Sequence, residues 1–132
     1  YDIRHVSVRN RVVVTNKTPT GLNRGFGGPQ VYYALERLMQ RIAVELHFDP
    51  VEVIRKNLIT SGVFPYRTAS GALLDSGDYV KAFELALADG EFAQLRKRQA
   101  EARAQGRIYG IGLTAAVEPS VSNMGYITTV LT

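Results

Sequence analysis

Apolar side chains recur through the middle of this chain at steps of three and four residues. From Pro29 onward they form a single stripe, made of Val31, Leu35, Leu38, Ile42 and Leu46. Such spacing places side chains on one face of a helix, so the pattern predicts an amphipathic helix that begins at Pro29. Proline suits this first-turn position because a helix start leaves its missing N–H unbonded anyway.

A second helix is predicted directly after the first. Asp49 can cap its start, Pro50 takes the first helical position, and Glu52 completes a pair that resembles a capping box. The apolar side of this helix consists of Val51, Ile54 and Leu58.

Two more helices are predicted further along. Asp75 or Ser76 is expected to cap a third helix, which Gly90 ends. The apolar residues of that helix are Tyr79, Phe83 and Leu87. A fourth helix is expected over residues 91–105, ended by Gly106 because glycine accepts the left-handed conformation common after a helix.

Strands are predicted near both ends of the chain. The first is a strand or hairpin that bends at residues 9–11 and carries Val6, Val8, Val12, Val13 and Val14. Residues 109–117 alternate between larger apolar and small side chains, as in a strand with one small face. A second strand pattern covers residues 126–131. Loops are expected over residues 16–28 and 60–75.

These elements predict an α+β fold in which helices pack on a partial β-sheet. Residues 1–105 would hold the first strand, a glycine loop and the helices, and residues 106–132 the start of a further sheet. Because the last strand pattern has no partner or closing element after it, we expect the chain to be an internal fragment of a longer protein.

Composition excludes several classes of site. The chain has 132 residues, no cysteine and two histidines, so disulfides, thiolate metal sites and an all-protein zinc site are not expected. No stretch is long and apolar enough for a membrane span, and we expect a cytoplasmic location. The net charge is +4, but the basic run over residues 96–107 is interleaved with glutamate, glutamine and alanine. That pattern favours a solvated helix face over nucleic-acid binding.

The segment over residues 23–30, Asn-Arg-Gly-Phe-Gly-Gly-Pro-Gln, is the strongest candidate for chemistry. Its three glycines leave a backbone free to adopt positive φ and to approach a ligand closely. A glycine loop that runs into a helix start presents unpaired amides and the positive end of the helix dipole, which suits an anion, an oxo group or a phosphate. The spacing fits neither the dinucleotide fingerprint nor the P-loop.

The same segment, with Glu36 in the following helix, resembles a loop of the molybdenum hydroxylases. This family contains xanthine dehydrogenase, aldehyde oxidase and the large subunit of carbon monoxide dehydrogenase. The resemblance continues in the same order through residues 49–59, 64–66, 75–79, 110–113 and 117–119. The chain is therefore identified as resembling a part of the molybdopterin-binding region of that family.

The resemblance implies a parent enzyme with a molybdenum-pterin cofactor, either molybdopterin or its cytosine dinucleotide. The parent would hydroxylate an aldehyde or N-heterocycle carbon with water-derived oxygen and pass electrons to iron–sulfur and flavin centres on other domains or subunits. Cofactor contacts are implied for Arg24, Gly25, Gly27, Gly28 and Gln30. The main chain of Arg24 would lie near molybdenum, and Phe26 would hold a flat substrate.

Other parts of the family's site have no counterpart in this sequence. Glu118 is a candidate general base, but we favour a structural carboxylate, since the family's base resembles a glutamate in a Gly-Val-Gly-Glu segment that is absent here. We therefore expect the chain alone to bind no cofactor tightly and to be inactive without the remainder of the large subunit. The alternative is a non-enzymatic module that binds an anion or phosphate through Gly25–Gly28.

Overall fold

The computed structural model describes residues 1–18 and 27–117. Within them lie four α-helices, a short 3-10 helix and a two-stranded antiparallel hairpin. The α-helices are α1 (Gly28–Glu45), α2 (Pro50–Asn57), α3 (Tyr79–Asp89) and α4 (Phe92–Ala104). The 3-10 helix covers Ser61–Val63, and the hairpin pairs β1 (Tyr66–Arg67) with β2 (Leu73–Leu74). The 3-10 helix and the hairpin fall in the region predicted as a loop. The described part is thus helical with a small sheet.

Helix α2 begins as predicted. The Asp49 side chain accepts a hydrogen bond of 2.7 Å from the Val51 amide, and Pro50 occupies the first turn. The capping-box pairing is wrong, because Glu52 bonds Arg55 one turn further along and does not return to the cap. The predicted apolar side is confirmed, since it forms the core with Phe83 of α3: Val51, Ile54 and Leu58.

The two later helices also have nearly the predicted bounds. Helix α3 is capped by Asp78, which accepts from the Lys81 amide at 3.0 Å. The prediction of Asp75 or Ser76 was wrong because the Asp75 carboxylate accepts from the adjacent Ser76 amide instead. Gly90 follows α3 as predicted.

Gly106 ends α4 as predicted, with φ +69°. Its N–H donates to the Arg103 carbonyl at 3.0 Å, and the Arg107 N–H donates to the Ala102 carbonyl at 2.8 Å. This pair of bonds is the Schellman motif, which satisfies the last carbonyls of a helix.

Helix α1 covers the predicted residues, but a different face is buried. Its buried residues are Glu36, Met39 and Ala43, which lie at three- and four-residue steps and face α2 and the segment over residues 109–117. Most of the predicted stripe is exposed, with Val31 at 63% and Leu38 at 56%. The sequence pattern was broad enough to fit both faces, and tertiary contacts choose between them.

The strands predicted near the chain ends are not formed in the described residues. Residues 6–14 contain no strand, and the valines there are exposed. A strand needs a hydrogen-bonded neighbour, and the described part of the chain places none beside this segment. The strand predicted over residues 126–131 lies outside the described residues.

Residues 109–117 are not a strand either, although their alternation is real. Ile111, Leu113 and Ala115 are half-buried, while the residues between them are exposed. Leu113 and Ala115 pack against the core formed by α2 and α3. This extended segment therefore lies against helices and does not form part of the predicted sheet. Within the described ranges, no helix is long and apolar enough to cross a bilayer.

Candidate functional site

The first turn of α1 is the described end of the glycine segment. Gly27 is its N-cap and offers no capping side chain, and no acidic residue occupies the first turn. Pro29 carries no N–H, so the backbone donors of this turn are the amides of Gly28 and Gln30. These donors and the positive end of the helix dipole favour an anionic or oxygen-rich ligand.

The two described glycines of the segment have different reasons to lack a side chain. Among the described residues, no atom lies within 4 Å of a Cβ placed on Gly27, whereas a Cβ on Gly28 would lie 3.0 Å from the Tyr32 ring. Neither glycine needs positive φ, because Gly27 has φ −87° and Gly28 is helical. The predicted use of positive φ is therefore wrong at these positions. Gly27 leaves open space at the helix start, and Gly28 allows Tyr32 to pack closely.

Two side chains on α1 bind the segment over residues 109–117. The Tyr32 hydroxyl donates to the Val117 carbonyl at 2.9 Å. One turn later, Glu36 Oε2 accepts from the Ala115 amide at 3.1 Å, and its Oε1 accepts from the Tyr1 hydroxyl at 2.6 Å. Glu36 is 4% exposed and is the only polar residue classed as buried in the described part of the chain. Both of its carboxylate oxygens are thus satisfied.

The Tyr1 phenol responds to this arrangement. Burial raises its pKa above the ordinary value of 10.0, and the hydrogen bond to Glu36 raises the pKa further, because both effects disfavour the phenolate. The phenol therefore stays protonated and keeps donating to Glu36.

The sequence places Glu36 in the motif that follows the glycine segment, but its hydrogen bonds to Tyr1 and Ala115 were not predicted. A glutamate on the same face as Tyr32, Met39 and Ala43 was a usable signal. A charged residue on an apolar helix face needs a buried partner. The identity of the partners was not readable, because Tyr1 and Ala115 lie 35 and 79 residues away.

The predicted site residues divide between described and undescribed parts. Gly27, Gly28 and Gln30 come together in the first turn of α1, where Gln30 is exposed. Arg24, Gly25, Phe26 and Glu118 lie outside the described residues.

The donor set at the start of α1 fits a group that presents oxygen atoms or negative charge. Backbone amides hold such a group without titrating, and the open space at Gly27 lets it approach the main chain. Among residues 1–18 and 27–117, no three histidine, cysteine or carboxylate side chains cluster in a way that could hold a metal ion.

Comparisons with known proteins agree on one family. Residues 1–58 match the family model described as a molybdopterin cofactor-binding domain. The chain is 30% identical over 125 residues to the nicotine 6-hydroxylase large subunit of Paenarthrobacter nicotinovorans, covering 95% of this chain and 15% of that relative. It is 34% identical over 123 residues to the carbon monoxide dehydrogenase large chain of Hydrogenophaga pseudoflava, covering 89% of this chain and 15% of that one.

A solved structure shares the architecture. Quinoline 2-oxidoreductase from Pseudomonas putida 86 matches with a TM-score of 0.60 and 35% identity, over 69% of this chain and 12% of that chain. The chain thus spans about 15% of the length of these curated relatives. The matched family model includes α1, α2 and the whole glycine segment.

Proposed function

The chain belongs to the molybdenum hydroxylase family, and on that basis we propose that it forms one wall of a molybdenum-pterin site in a large oxidoreductase subunit. The observation that carries this proposal is the first turn of α1, which lies inside the matched cofactor-binding domain and has neither a capping side chain nor an acidic residue. We propose that the donors of this turn bind the cofactor.

Each described residue of the turn has a separate task in the proposed site. The amides of Gly28 and Gln30 donate hydrogen bonds to oxygen atoms of the cofactor. Gly27 keeps the space beside them open, since a Cβ there meets no atom within 4 Å. The exposed Gln30 side chain lies in the same turn and donates to or accepts from the cofactor. When bound, the molybdenum-pterin group accepts the electrons released as a substrate carbon is hydroxylated with water-derived oxygen.

The preceding residues complete this wall. We assign the main-chain amide of Arg24 to the side nearest the metal, and the Phe26 ring to orienting a planar substrate by its face. Gly25 allows the main chain to come close to the cofactor. Glu118 follows Val117, whose carbonyl accepts from Tyr32, and we assign it a structural role and not that of the general base.

The reaction proposed for the parent enzyme is hydroxylation of an N-heterocycle or aldehyde carbon. The names of two of the relatives above refer to nicotine and to quinoline, both N-heterocycles, and this favours an N-heterocycle. The remainder of the large subunit would supply the base and the rest of the pterin pocket. Iron–sulfur and flavin centres on partner subunits or domains would take the electrons.

The experiment that tests this function uses the large subunit that contains the chain, produced with its partner subunits. Molybdenum and pterin are measured in the purified complex, and dye reduction is followed with nicotine, quinoline, xanthine, benzaldehyde and carbon monoxide. We expect about one molybdenum per large subunit and turnover of at least one of the heterocycles or the aldehyde. A complex without molybdenum or pterin would contradict the proposal.

The 132-residue chain by itself provides a second test. Because it contributes only one wall, we expect it to retain no molybdenum through gel filtration. Stoichiometric molybdenum on the isolated chain would show that the site is more complete here than we propose.

A further inference from the structure

The contacts between α1 and the segment over residues 109–117 follow a regular register. Tyr32 bonds Val117, and Glu36 bonds Ala115. Four residues of helix rise about 6 Å, and two residues of extended chain advance about 6.6 Å. The two repeats match, so the segment runs antiparallel to α1 with one bond for each helical turn.

The same register extends beyond the two hydrogen bonds. The next positions in the series are Gln40 with Leu113 and Val44 with Ile111, and all four residues line one groove of about 250 Å³ between α1, α2 and α4. The two bonded pairs lie in the N-terminal half of α1, and the groove lies further along the helix. Within the described residues, the hydrogen bonds between α1 side chains and the segment thus lie in the half of the helix that carries the proposed cofactor site.

We infer that Tyr32 and Glu36 form a clamp that fixes residues 115–117 against the first turns of α1, and that Glu36 is a positioning residue for the proposed site. This inference rests on the proposed function, because the clamp matters for catalysis only if the start of α1 faces cofactor and substrate. Glu36 acts through the Ala115 amide and the Tyr1 hydroxyl, and neither partner needs to take part in proton transfer.

Three features of the structure support the clamp. Glu36 is buried at 4% exposure, and each of its oxygens accepts one hydrogen bond from a different segment of the chain. Tyr32 packs its ring against Gly28, where a Cβ would lie 3.0 Å away. The ring therefore links the segment directly to the first turn that carries the proposed cofactor donors.

Substitutions separate the clamp from a charge or proton-transfer role. Glu36→Ala removes both bonds. Glu36→Gln keeps both, since its amide oxygen accepts from Ala115 and its amide N–H donates to the Tyr1 oxygen, but it removes the charge. Tyr32→Phe removes only a hydroxyl and keeps the ring against Gly28. Glu45→Gln is the matched control, because Glu45 is an exposed glutamate on the same helix, bonded to Arg41.

The test measures amide hydrogen exchange, molybdenum content, KM and kcat in the complete complex, with the best substrate of the panel above. We expect exchange of the amides at residues 113–117 to rise about threefold in Tyr32→Phe, which loses one solvent-exposed hydrogen bond, and about tenfold in Glu36→Ala, which loses both bonds of a buried carboxylate. KM should rise about tenfold in both variants, with molybdenum content retained. Glu36→Gln and Glu45→Gln should resemble wild type in all four quantities.

The outcomes distinguish the two proposals. Absence of molybdenum in the wild-type complex contradicts the proposed function and removes the basis of the clamp's catalytic role. Normal molybdenum with faster exchange but unchanged KM and kcat contradicts the positioning role alone. Unchanged exchange in Tyr32→Phe contradicts the clamp itself, even if Glu36→Ala fails to fold. A kcat in Glu36→Gln as low as in Glu36→Ala, with an altered pH profile, would overturn the clamp in favour of a proton-transfer role.

Discussion

Helices α1 and α2 both have proline in their first turn, yet their starts are built differently. At α2, the Asp49 carboxylate accepts from the Val51 amide, and Glu52 adds negative charge to the first turn. At α1, the cap is Gly27, and the first turn has no acidic residue and no capping side chain. The start of α2 is capped by its own aspartate, and we propose that the amides at the start of α1 bind a ligand.

We interpret this difference as a division of roles: the start of α2 stabilises its own helix, and the start of α1 is proposed to bind the cofactor. A side-chain cap contributes about 1 kcal/mol to helix stability, and α1 forgoes that contribution. Instead, α1 is held by its inner face, where Met39 and Ala43 are buried and Glu36 bonds two other segments. We infer that these contacts along α1 stabilise the helix enough for its first turn to lack a side-chain cap.

The largest expected effect comes from placing a charge at the open start. Gly27→Asp introduces a carboxylate where a Cβ has free space, so the fold should be kept. Two like charges at about 4 Å repel by ~1–4 kcal/mol in surroundings between water and a protein surface. We expect at least tenfold less molybdenum in the purified complex, measured by elemental analysis. Gly27→Asn is the neutral comparison of the same size and should retain more molybdenum than Gly27→Asp, whereas equal content in the two variants would show that no anionic group binds here.

The next effect concerns the start of α2, which is capped by the Asp49 side chain. Asp49→Ala leaves the Val51 amide without its acceptor and removes the exposed contact with Arg96. We expect a loss of about 1 kcal/mol in the free energy of unfolding, measured by urea denaturation of the chain. Asp75→Ala is the matched control, because Asp75 accepts only from its neighbour Ser76 and caps no helix. A loss of the same size in both variants would remove the distinction between a cap and an ordinary acidic residue.

A smaller effect separates the two neighbouring glycines of α1. In Gly28→Ala the methyl group would lie 3.0 Å from the Tyr32 ring, and that ring is also held by the Val117 carbonyl. We expect this variant to be less stable than Gly27→Ala by roughly 1 kcal/mol, near the lower limit for overpacking. Urea denaturation of the two variants measures the difference. Equal stability would mean that Tyr32 moves freely and does not link the helix to residue 117.

The smallest effects are changes of stability with pH. The contact of Tyr1 with Glu36 should respond at alkaline pH, and the contact of Arg55 with Glu84 at acid pH. Near α1, the pKa of Tyr1 is raised by burial and by Glu36, so its contribution is complete below pH 10.0 and declines as the pH rises beyond that value. Between α2 and α3, Arg55 lowers the pKa of the Glu84 carboxyl. That contribution is complete above the ordinary carboxyl pKa and declines as the pH falls below it.

Thermal unfolding across pH measures these two responses. Tyr1→Phe should lessen the decline on the alkaline side, where Tyr66, whose pKa is also raised by its hydrogen bond to Asp2, maintains part of it. Glu84→Gln should lessen the decline on the acid side. If both substitutions changed the same side, the assignment of the two contacts would be wrong.

Local signals explain which parts of the fold were predictable. The Asp49 cap, the Gly90 and Gly106 helix ends and the apolar side of α2 depend on residues a few positions apart, and the sequence shows them directly. The buried face of α1 was not predictable in this way. It depends on contacts with Tyr1 and Ala115, which are distant in the sequence. The valines of residues 6–14 are typical of a strand, but a valine-rich segment forms a strand only where a neighbouring strand pairs with it, and the described part of the chain places none there.

The same division applies to the candidate site. The glycine segment is a local motif and was found, and the family it indicated agrees with the match over residues 1–58. The link from Tyr32 to Val117 joins residues 85 positions apart, and no local pattern contains it. The functional roles of all the predicted site residues stay predictions: Arg24, Gly25, Phe26, Gly27, Gly28, Gln30 and Glu118.

The central claim is that the start of α1 faces the molybdenum-pterin group. Anomalous diffraction at the molybdenum absorption edge, from crystals of the complete large subunit with its partners, tests this claim most directly. The account predicts a molybdenum peak beside the first turn of α1, with cofactor density in contact with the amides of Gly28 and Gln30. A peak beside another part of the subunit, with this turn facing solvent or protein alone, would contradict it.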